Sequence, residues 1–284
     1  MKTILKGKTS EVIIDTDGPV VIIGESINPT RRKKLVETLK AHDFEFALQL
    51  SKSQIEDGAD VLDVNVGFPG VDDETLLPLT VKAIQEAFDI PLCLDSPNPL
   101  AIEAALKVAK GKPLINSVNG EEKSLQAILP LVKEYGAVVI GLVMDDEGIT
   151  HDPELRFKIA EKILNRAIQI GIPKEDMVID PLAMAVSADP NACMVTLETI
   201  KLVHDRLGLN ITQGASNISF GLPNRVELNN AHMAISIWNG LTCPIANPAK
   251  ITAFVRAMDL IRSRDEFAMR FTEFFYSQEA LKNG

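Results

Sequence analysis

The chain has 284 residues, a formal net charge of −10, 46% hydrophobic and 24% charged residues, which allows a full core and argues against a nucleic-acid surface, where affinity rests on Lys and Arg at phosphates. Three scattered cysteines, Cys93, Cys193 and Cys243, form no CxxC pair and point to reduced thiols in a cytoplasmic protein. There is no N-terminal signal pattern and no apolar run near the roughly 20 residues of a membrane span, so neither nucleic acid nor membrane is expected as a partner.

Residues 1–19 read as a small hairpin. Glu11-Val12-Ile13-Ile14 is its strand and Asp15-Thr16-Asp17-Gly18 its turn chemistry, placed to cap a barrel floor. The first barrel strand is Val20-Val21-Ile22-Ile23, with Gly24-Glu25-Ser26-Ile27-Asn28-Pro29 following it. Arg31-Arg32-Lys33-Lys34 is either a solvated charge run or a set of cations over the barrel mouth that attracts an anionic ligand tail or acidic partner. A helix is expected over about His42 to Asp57, stopped by Gly58. The second strand, Val61 to Val66, puts Asp63 and Asn65 on one face because strand side chains alternate. These two serve either a buried hydrogen-bond network or a ligand.

A helix over Asp73–Phe88 leads to the third strand, Pro91-Leu92-Cys93-Leu94-Asp95, which ends on a carboxylate. A helix over Pro99–Lys110 precedes the fourth strand, Pro113-Leu114-Ile115-Asn116, and another runs from near Glu121 to Tyr135. The fifth strand, Ala137–Met144, is followed by a helix over Pro153–Ile170, and the sixth delivers Asp180. A helix over Ala192–Arg206 precedes the seventh strand, which delivers Ser216 and Asn217. A helix over about Val226–Trp238 and a last strand, Leu241–Ala246, lead to a helix after Pro248. Phe267, Phe271, Phe274, Phe275 and Tyr276 belong to a final helix that either packs on the barrel wall or forms a dimer contact.

Eight strand–helix units predict an α/β fold: a TIM (β/α)8 barrel with core about 20–262 inside a single domain of 1–284, carrying an N-terminal hairpin and an extra C-terminal helix. Several strands end on Asp, Asn or Ser. A buried polar group without a partner costs roughly 1–3 kcal/mol, so several such tips suggest convergence on one ligand at the carboxyl ends of the strands. The set suits a planar heterocycle rich in hydrogen-bonding groups, since a carboxylate accepts from amines and an amide both donates and accepts. The four histidines, His42, His151, His204 and His232, lack the spacing of a helix-borne metal site, so no protein-bound metal is expected.

The segments Ile23–Asn28, Leu62–Gly67, Leu92–Ser96, Ile115–Ser117, Ile179–Pro181, Ser216–Ser219 and Asn224-Arg225 resemble, in order and spacing, the pterin-binding methyltransferases. The resemblance is strongest to methyltetrahydrofolate:corrinoid protein methyltransferases and runs over about residues 20–250. It implies a TIM barrel that transfers methyl between N5 of tetrahydrofolate and the cobalt of a corrinoid (cobalamin-type) group, in either direction. It also implies that Asp95, Asn116 and Asp180 hold the pterin, with Ser216 and Arg225 near the folate, and that Asn217 is catalytic beside N5. Glu25, Asn28, Asp63 and Asn65 would stand behind them. Relatives can carry glutamine three positions after the asparagine, where this chain has Phe220. No corrinoid-binding Asp-x-His-x-x-Gly signature occurs, so the corrinoid is expected on a separate protein docking over the barrel mouth, and the family resemblance implies a homodimer. The alternatives are a dihydropteroate synthase-like enzyme, whose closing Ser-x-Arg-x-His pattern is missing, and a non-catalytic folate-binding subunit.

Overall fold

Short apolar runs separated by amphipathic stretches give alternating strands and helices, and a computed structural model describes residues 1–283. The chain opens with an antiparallel hairpin, β1 (Lys2–Lys6) and β2 (Glu11–Asp15), in register from Lys2↔Asp15 to Lys6↔Glu11. Eight parallel strands then close a barrel: β3 (Ile23–Ile27), β4 (Val61–Asn65), β5 (Leu92–Asp95), β6 (Leu114–Asn119), β7 (Val138–Leu142), β8 (Met177–Asp180), β9 (Asn210–Gly214) and β10 (Cys243–Ala246), with β10 pairing back onto β3. The TIM barrel read from the sequence is therefore the fold.

Side-chain alternation splits the core into two layers. Leu62, Val64, Leu92, Leu94, Ile115, Ile179 and Ile211 point outward and pack under the helices. Val61, Cys93, Leu114, Val178 and Cys243 point inward and fill the lower barrel. Continuing upward by the same parity, the next inward positions are Asp63 and Asn65 on β4, Asp95 on β5, Asn116 on β6 and Asp180 on β8. The interior is apolar below and polar at the carboxyl ends.

The hairpin closes the floor as expected. Leu5 and Ile14 are fully buried in the inner layer, and Asn210 Nδ2, at the start of β9, donates to Thr3 Oγ1 and to the Ile14 carbonyl, both at 2.9 Å.

The first strand is shifted from its sequence reading, running Ile23–Ile27 rather than Val20–Ile23. The missing side chain of Gly24 makes room for Gln54: a Cβ there would lie 2.5 Å from Gln54 Oε1. That oxygen accepts the Ser26 N–H at 2.7 Å where the β3–β4 ladder slips register. The seventh strand ends at Gly214, and Ala215–Ser219 form a 3₁₀ turn instead of continuing it.

The helix expected from about His42 to Asp57 is α2 (Glu45–Glu56), and a helix absent from the sequence reading, α1 (Lys33–Lys40), precedes it across a turn in which His42 takes φ 53°. The charge run concealed α1, although Leu35 and Leu39, four apart and fully buried, carry its apolar face. The remaining helices are α3 (Asp73–Ala87), α4 (Pro99–Val108), α5 (Glu122–Tyr135), α6 (Pro153–Gln169), α7 (Ala192–Leu202), α8 (Arg225–Asn239), α9 (Pro248–Ile261) and α10 (Met269–Asn283).

The last helix, α10, reaches the barrel wall through Phe274, which lies against Gly58, and through Gln278, whose amide donates to the Glu56 carbonyl. Packing does not absorb Phe275, 55% exposed, and Tyr276, 65% exposed, nor Phe267 in the 3₁₀ turn just before the helix, 88% exposed. Among the described residues no helix is long and apolar enough to cross a membrane.

Candidate functional site

Two polar clusters share the mouth of the barrel. The first follows from strand register: Asn65, Asp95 and Asn116 are paired across β4, β5 and β6 and form one layer. Asn65 Nδ2 donates to Asp95 Oδ2 at 2.9 Å while its Oδ1 accepts the Gly67 N–H at 2.8 Å, which fixes the amide orientation. One layer down, Asp63 is almost fully buried and accepts a longer bond, 3.4 Å, from Asn116 Nδ2.

No cation faces this pair of acids closely enough to shift either one. Burial pushes the Asp63 carboxyl well above the usual carboxylate range, and the neighbouring Asp95 charge pushes it further. Asp95 is raised by burial too, against the Asn65 hydrogen bond. A cavity of about 420 Å³ opens beside them, lined by Asp95, Asn116, Ser117 and Asn119 among others.

Asp180 stands at the end of β8. Its Oδ1 accepts the Leu182 N–H at 2.8 Å, and burial raises its pKa to about 6 despite that bond, the Arg156 charge and the Gly214 N–H. Arg156, which sequence reasoning passed over, is fully buried. Its Nη1 donates to the carbonyls of Pro181 and Leu182 at 2.8 Å each and its Nε to Thr150, so the loop that carries the chain away from Asp180 is fastened from beneath.

The second cluster joins β3, β9 and β10. Ser216 Oγ faces both carboxylate oxygens of Glu25 at 3.4 and 3.5 Å. Arg225, the first residue of α8, donates from Nε to Ser219 Oγ at 2.9 Å and from Nη2 to the Ser216 carbonyl at 2.7 Å. It therefore clamps the 3₁₀ turn that bears Asn217. The Asn217 backbone carbonyl accepts the Phe220 N–H, whereas its side-chain amide is exposed and has no protein partner among the described residues. Burial raises Glu25 above its ordinary range in spite of Ser216, Lys250, Arg225 and Arg32.

Asn28 belongs to neither hydrogen-bonded cluster: its Oδ1 accepts the Thr30 N–H at 2.9 Å and shapes the turn after β3. Phe220 is half exposed on the rim beneath the Arg31 guanidinium, 5.0 Å from its ring centroid, and its carbonyl accepts from Ser187 Oγ at 2.6 Å. Residues absent from the sequence reading but lining the second cluster are Asn229 and Lys250. Lys250 sits in the first turn of α9 and Asn229 in the second turn of α8, where polarity alone marks nothing.

Comparison with known proteins adds three findings. The family model described as pterin binding enzyme matches residues 24–247. The methylcorrinoid:tetrahydrofolate methyltransferase of Eubacterium limosum is 28% identical over 90% of this chain and 96% of its own length, and the methionine synthase of Mycobacterium tuberculosis is 29% identical over 87% of this chain but only 23% of that longer protein. Among solved structures, the dihydropteroate synthase of Yersinia pestis, crystallised with a pterine-sulfa conjugate, superposes with a TM-score of 0.70, covering 92% of this chain and 99% of the synthase at 17% identity. At that identity the likeness speaks for the fold alone.

Proposed function

The chain belongs to the pterin binding enzymes, and on that premise we propose that it transfers a methyl group between N5 of tetrahydrofolate and the cobalt of a corrinoid carried on a separate protein. The observation that carries the proposal is the nearly end-to-end similarity to a methylcorrinoid:tetrahydrofolate methyltransferase, combined with a mouth whose acceptors and free amide suit a methylated pterin. The synthase alternative rests on a likeness of fold only.

In this reading the pterin's amine and ring N–H groups donate to Asp95 and Asp180, and Asn116 supplies an amide that donates and accepts. Asn65 and Asp63 hold that layer in place. Arg225 and Ser216 position the turn that offers Asn217 to N5. When methyl leaves N5, its carbon bonds to Co(I), which supplies both electrons, and the electron pair of the broken C–N bond stays on nitrogen and takes a proton. In the reverse direction the N5 lone pair attacks the cobalt-bound methyl, cobalt keeps the bonding pair as Co(I), and N5 loses its proton.

The Asn217 amide does not titrate near neutral pH. Its part is to donate a hydrogen bond that strengthens as N5 gains electron density, a preorganised electrostatic effect. The proton comes from water or from one of the buried acids at the mouth, since burial favours the neutral forms of Asp63, Asp95 and Glu25. The corrinoid protein docks over the mouth, and the exposed aromatics of α10 support self-association into a homodimer, which sedimentation velocity tests directly.

The decisive test mixes the protein with Co(I) cobalamin and methyltetrahydrofolate, and separately with methylcobalamin and tetrahydrofolate, following the cobalt spectrum. Turnover in either mixture that disappears in Asn217→Ala supports the proposal, and the ratio of the two rates indicates direction. Absence of any tetrahydrofolate binding by calorimetry sinks the pterin-site reading.

A further inference from the structure

Arg156, in the first turn of α6, is fully buried, and its hydrogen bonds go to carbonyls and a thioether instead of a carboxylate. Nε donates to the Thr150 carbonyl in the β7–α6 loop at 2.8 Å. Nη1 donates to the Pro181 and Leu182 carbonyls in the β8–α7 loop, both at 2.8 Å, and Nη2 to Met184 Sδ at 3.5 Å. Desolvating a guanidinium is costly, and three carbonyls from two loops offset that cost only when the planar fork meets them in one geometry.

The segment it grips is strained beside Asp180. Leu182 takes φ 66°, in the left-handed region that a bulky side chain rarely adopts. In that conformation its N–H donates to Asp180 Oδ1 at 2.8 Å. Such a conformation persists only where its surroundings impose it. Here they are Arg156, on the carbonyls of Pro181 and Leu182, and Thr196 Oγ1, which donates to the Leu182 carbonyl at 3.2 Å. Farther along, the loop is tied to the turn that bears Asn217: the Val186 N–H donates to the Ile218 carbonyl at 3.0 Å, and Ser187 Oγ donates to the Phe220 carbonyl. The loop is thus fastened at both sides of the mouth, and the Arg156 end is the one that decides how Asp180 is turned.

We propose that Arg156 is a positioning residue for pterin binding: by holding the strained turn at Leu182 it fixes the direction in which Asp180 offers its carboxylate to the ligand. The inference rests on the proposed role of Asp180 in holding the pterin and adds the group on which that role depends. The guanidinium charge acts on the same carboxylate. Of the groups that face Asp180, Arg156 is the cation and the Leu182 and Gly214 N–H groups are the backbone donors. Cys243 of β10 stays neutral, because burial pushes its thiol up to about 12. Removing the Arg156 charge therefore disfavours the ionised form of Asp180.

The test is calorimetric titration of the full chain with tetrahydrofolate between about pH 5 and 8, repeated on Arg156→Lys and Arg156→Met, with a thermal melt to confirm that each is folded. Lysine keeps a charge but, as a point donor, cannot span the carbonyls that the fork spans, whereas methionine keeps bulk without charge. In Arg156→Lys the affinity should fall about three- to tenfold, and the pH below which binding fades should stay near the Asp180 value of about 6. In Arg156→Met the loss at neutral pH should reach about tenfold or more, and the fading point should rise by about one pH unit. On an Asp180→Ala background, where no carboxylate is left to position, Arg156→Lys should change affinity by less than about twofold.

Unchanged affinity in Arg156→Lys overturns the proposal. So does an equal loss on the Asp180→Ala background, which is what a purely structural arginine would give, or a fading point that stays put in Arg156→Met. The lysine variant and its Asp180→Ala background decide the matter by themselves if the methionine variant does not fold. Failure of the unaltered protein to bind tetrahydrofolate overturns the pterin reading and this inference with it, whereas binding that is indifferent to Arg156 overturns the inference alone.

Discussion

The barrel buries carboxylates at both ends; at the floor they share a network with cations, whereas the Asp63–Asp95 pair at the mouth is held by amides and has no cation partner. At the floor, Asp259 of α9 is fully buried and accepts the Val20 N–H at 2.9 Å, with Arg270 at 3.4 Å and Arg256 at 3.9 Å. Asp60 closes the network, 3.6 Å from Arg256 and 3.5 Å from Arg270. These groups tie α9 and α10 to the entry of the first barrel strand. At the mouth, Asp63 and Asp95 have each other and two amides. Satisfied buried charges organise a fold; under-compensated ones destabilise it, and their retention around a cavity marks a place prepared for a ligand rich in donors.

The contrast is broken most forcefully at the floor. Asp259→Ala leaves the Val20 N–H and a buried guanidinium without their shared partner, and should lower the unfolding free energy by about 3 kcal/mol, read from the urea midpoint. Folate affinity of the remaining folded protein should stay within twofold. A loss under 1 kcal/mol would show the network to be dispensable. At the mouth the balance reverses. Asn217→Ala should reduce kcat by about 10²–10³ and leave the unfolding free energy within ~0.5 kcal/mol, because its amide holds nothing in the protein. A matching fall in folate affinity would demote Asn217 to a binding residue.

A smaller and graded effect is expected from pH. Burial raises Asp180 to about 6, and the ionised carboxylate accepts more strongly from a pterin amine or ring N–H than the protonated carboxyl, whose O–H donates. Folate affinity should therefore hold above that value and weaken as pH falls through it, by at most about tenfold per unit. Calorimetry between pH 5 and 7.5 measures the slope, and Asp180→Asn should flatten it along with weakening binding. A flat profile in the unaltered protein would mean that Asp180 does not meet the ligand as an anion.

The layer of tips was legible because two simple rules compose. Alternation puts every second residue inside, and neighbouring parallel strands in register align those residues, so Asn65, Asp95 and Asn116 stand side by side. The bounds of the first strand were less legible, because a tertiary contact decides what its glycine does. Gly24 admits Gln54 into the sheet and continues the strand. The charge run hid α1 because Leu35 and Leu39 show their purpose only against a barrel. Arg156, Asn229 and Lys250 were illegible for a different reason. Their partners come from segments far away in the chain, and only closure of the barrel brings together Arg32 of the first loop and Lys250 of the last helical layer.

The smallest expected effect is a pH slope in stability at the mouth, of the same sign that the raised Asp259 gives the floor. Asp63 sits fully inside the barrel, facing Asp95, with its carboxyl held well above the ordinary value. The folded protein therefore retains a proton that the unfolded chain releases at the ordinary carboxylate pKa. As pH rises above that value the unfolded state is favoured progressively, until the folded-state group also ionises and the loss levels off. Asp63→Asn keeps the shape and the acceptor for Asn116 Nδ2 but has no proton to lose. Its stability advantage over the unaltered protein should start near zero at pH 4 and grow with pH by at most about 1.4 kcal/mol per unit. Urea midpoints at several pH values test this, with Asp95 left in place so that its own titration is common to both proteins. A difference that does not grow with pH would mean that the hydrogen bonds from Asn116 and Cys93 already satisfy the Asp63 charge.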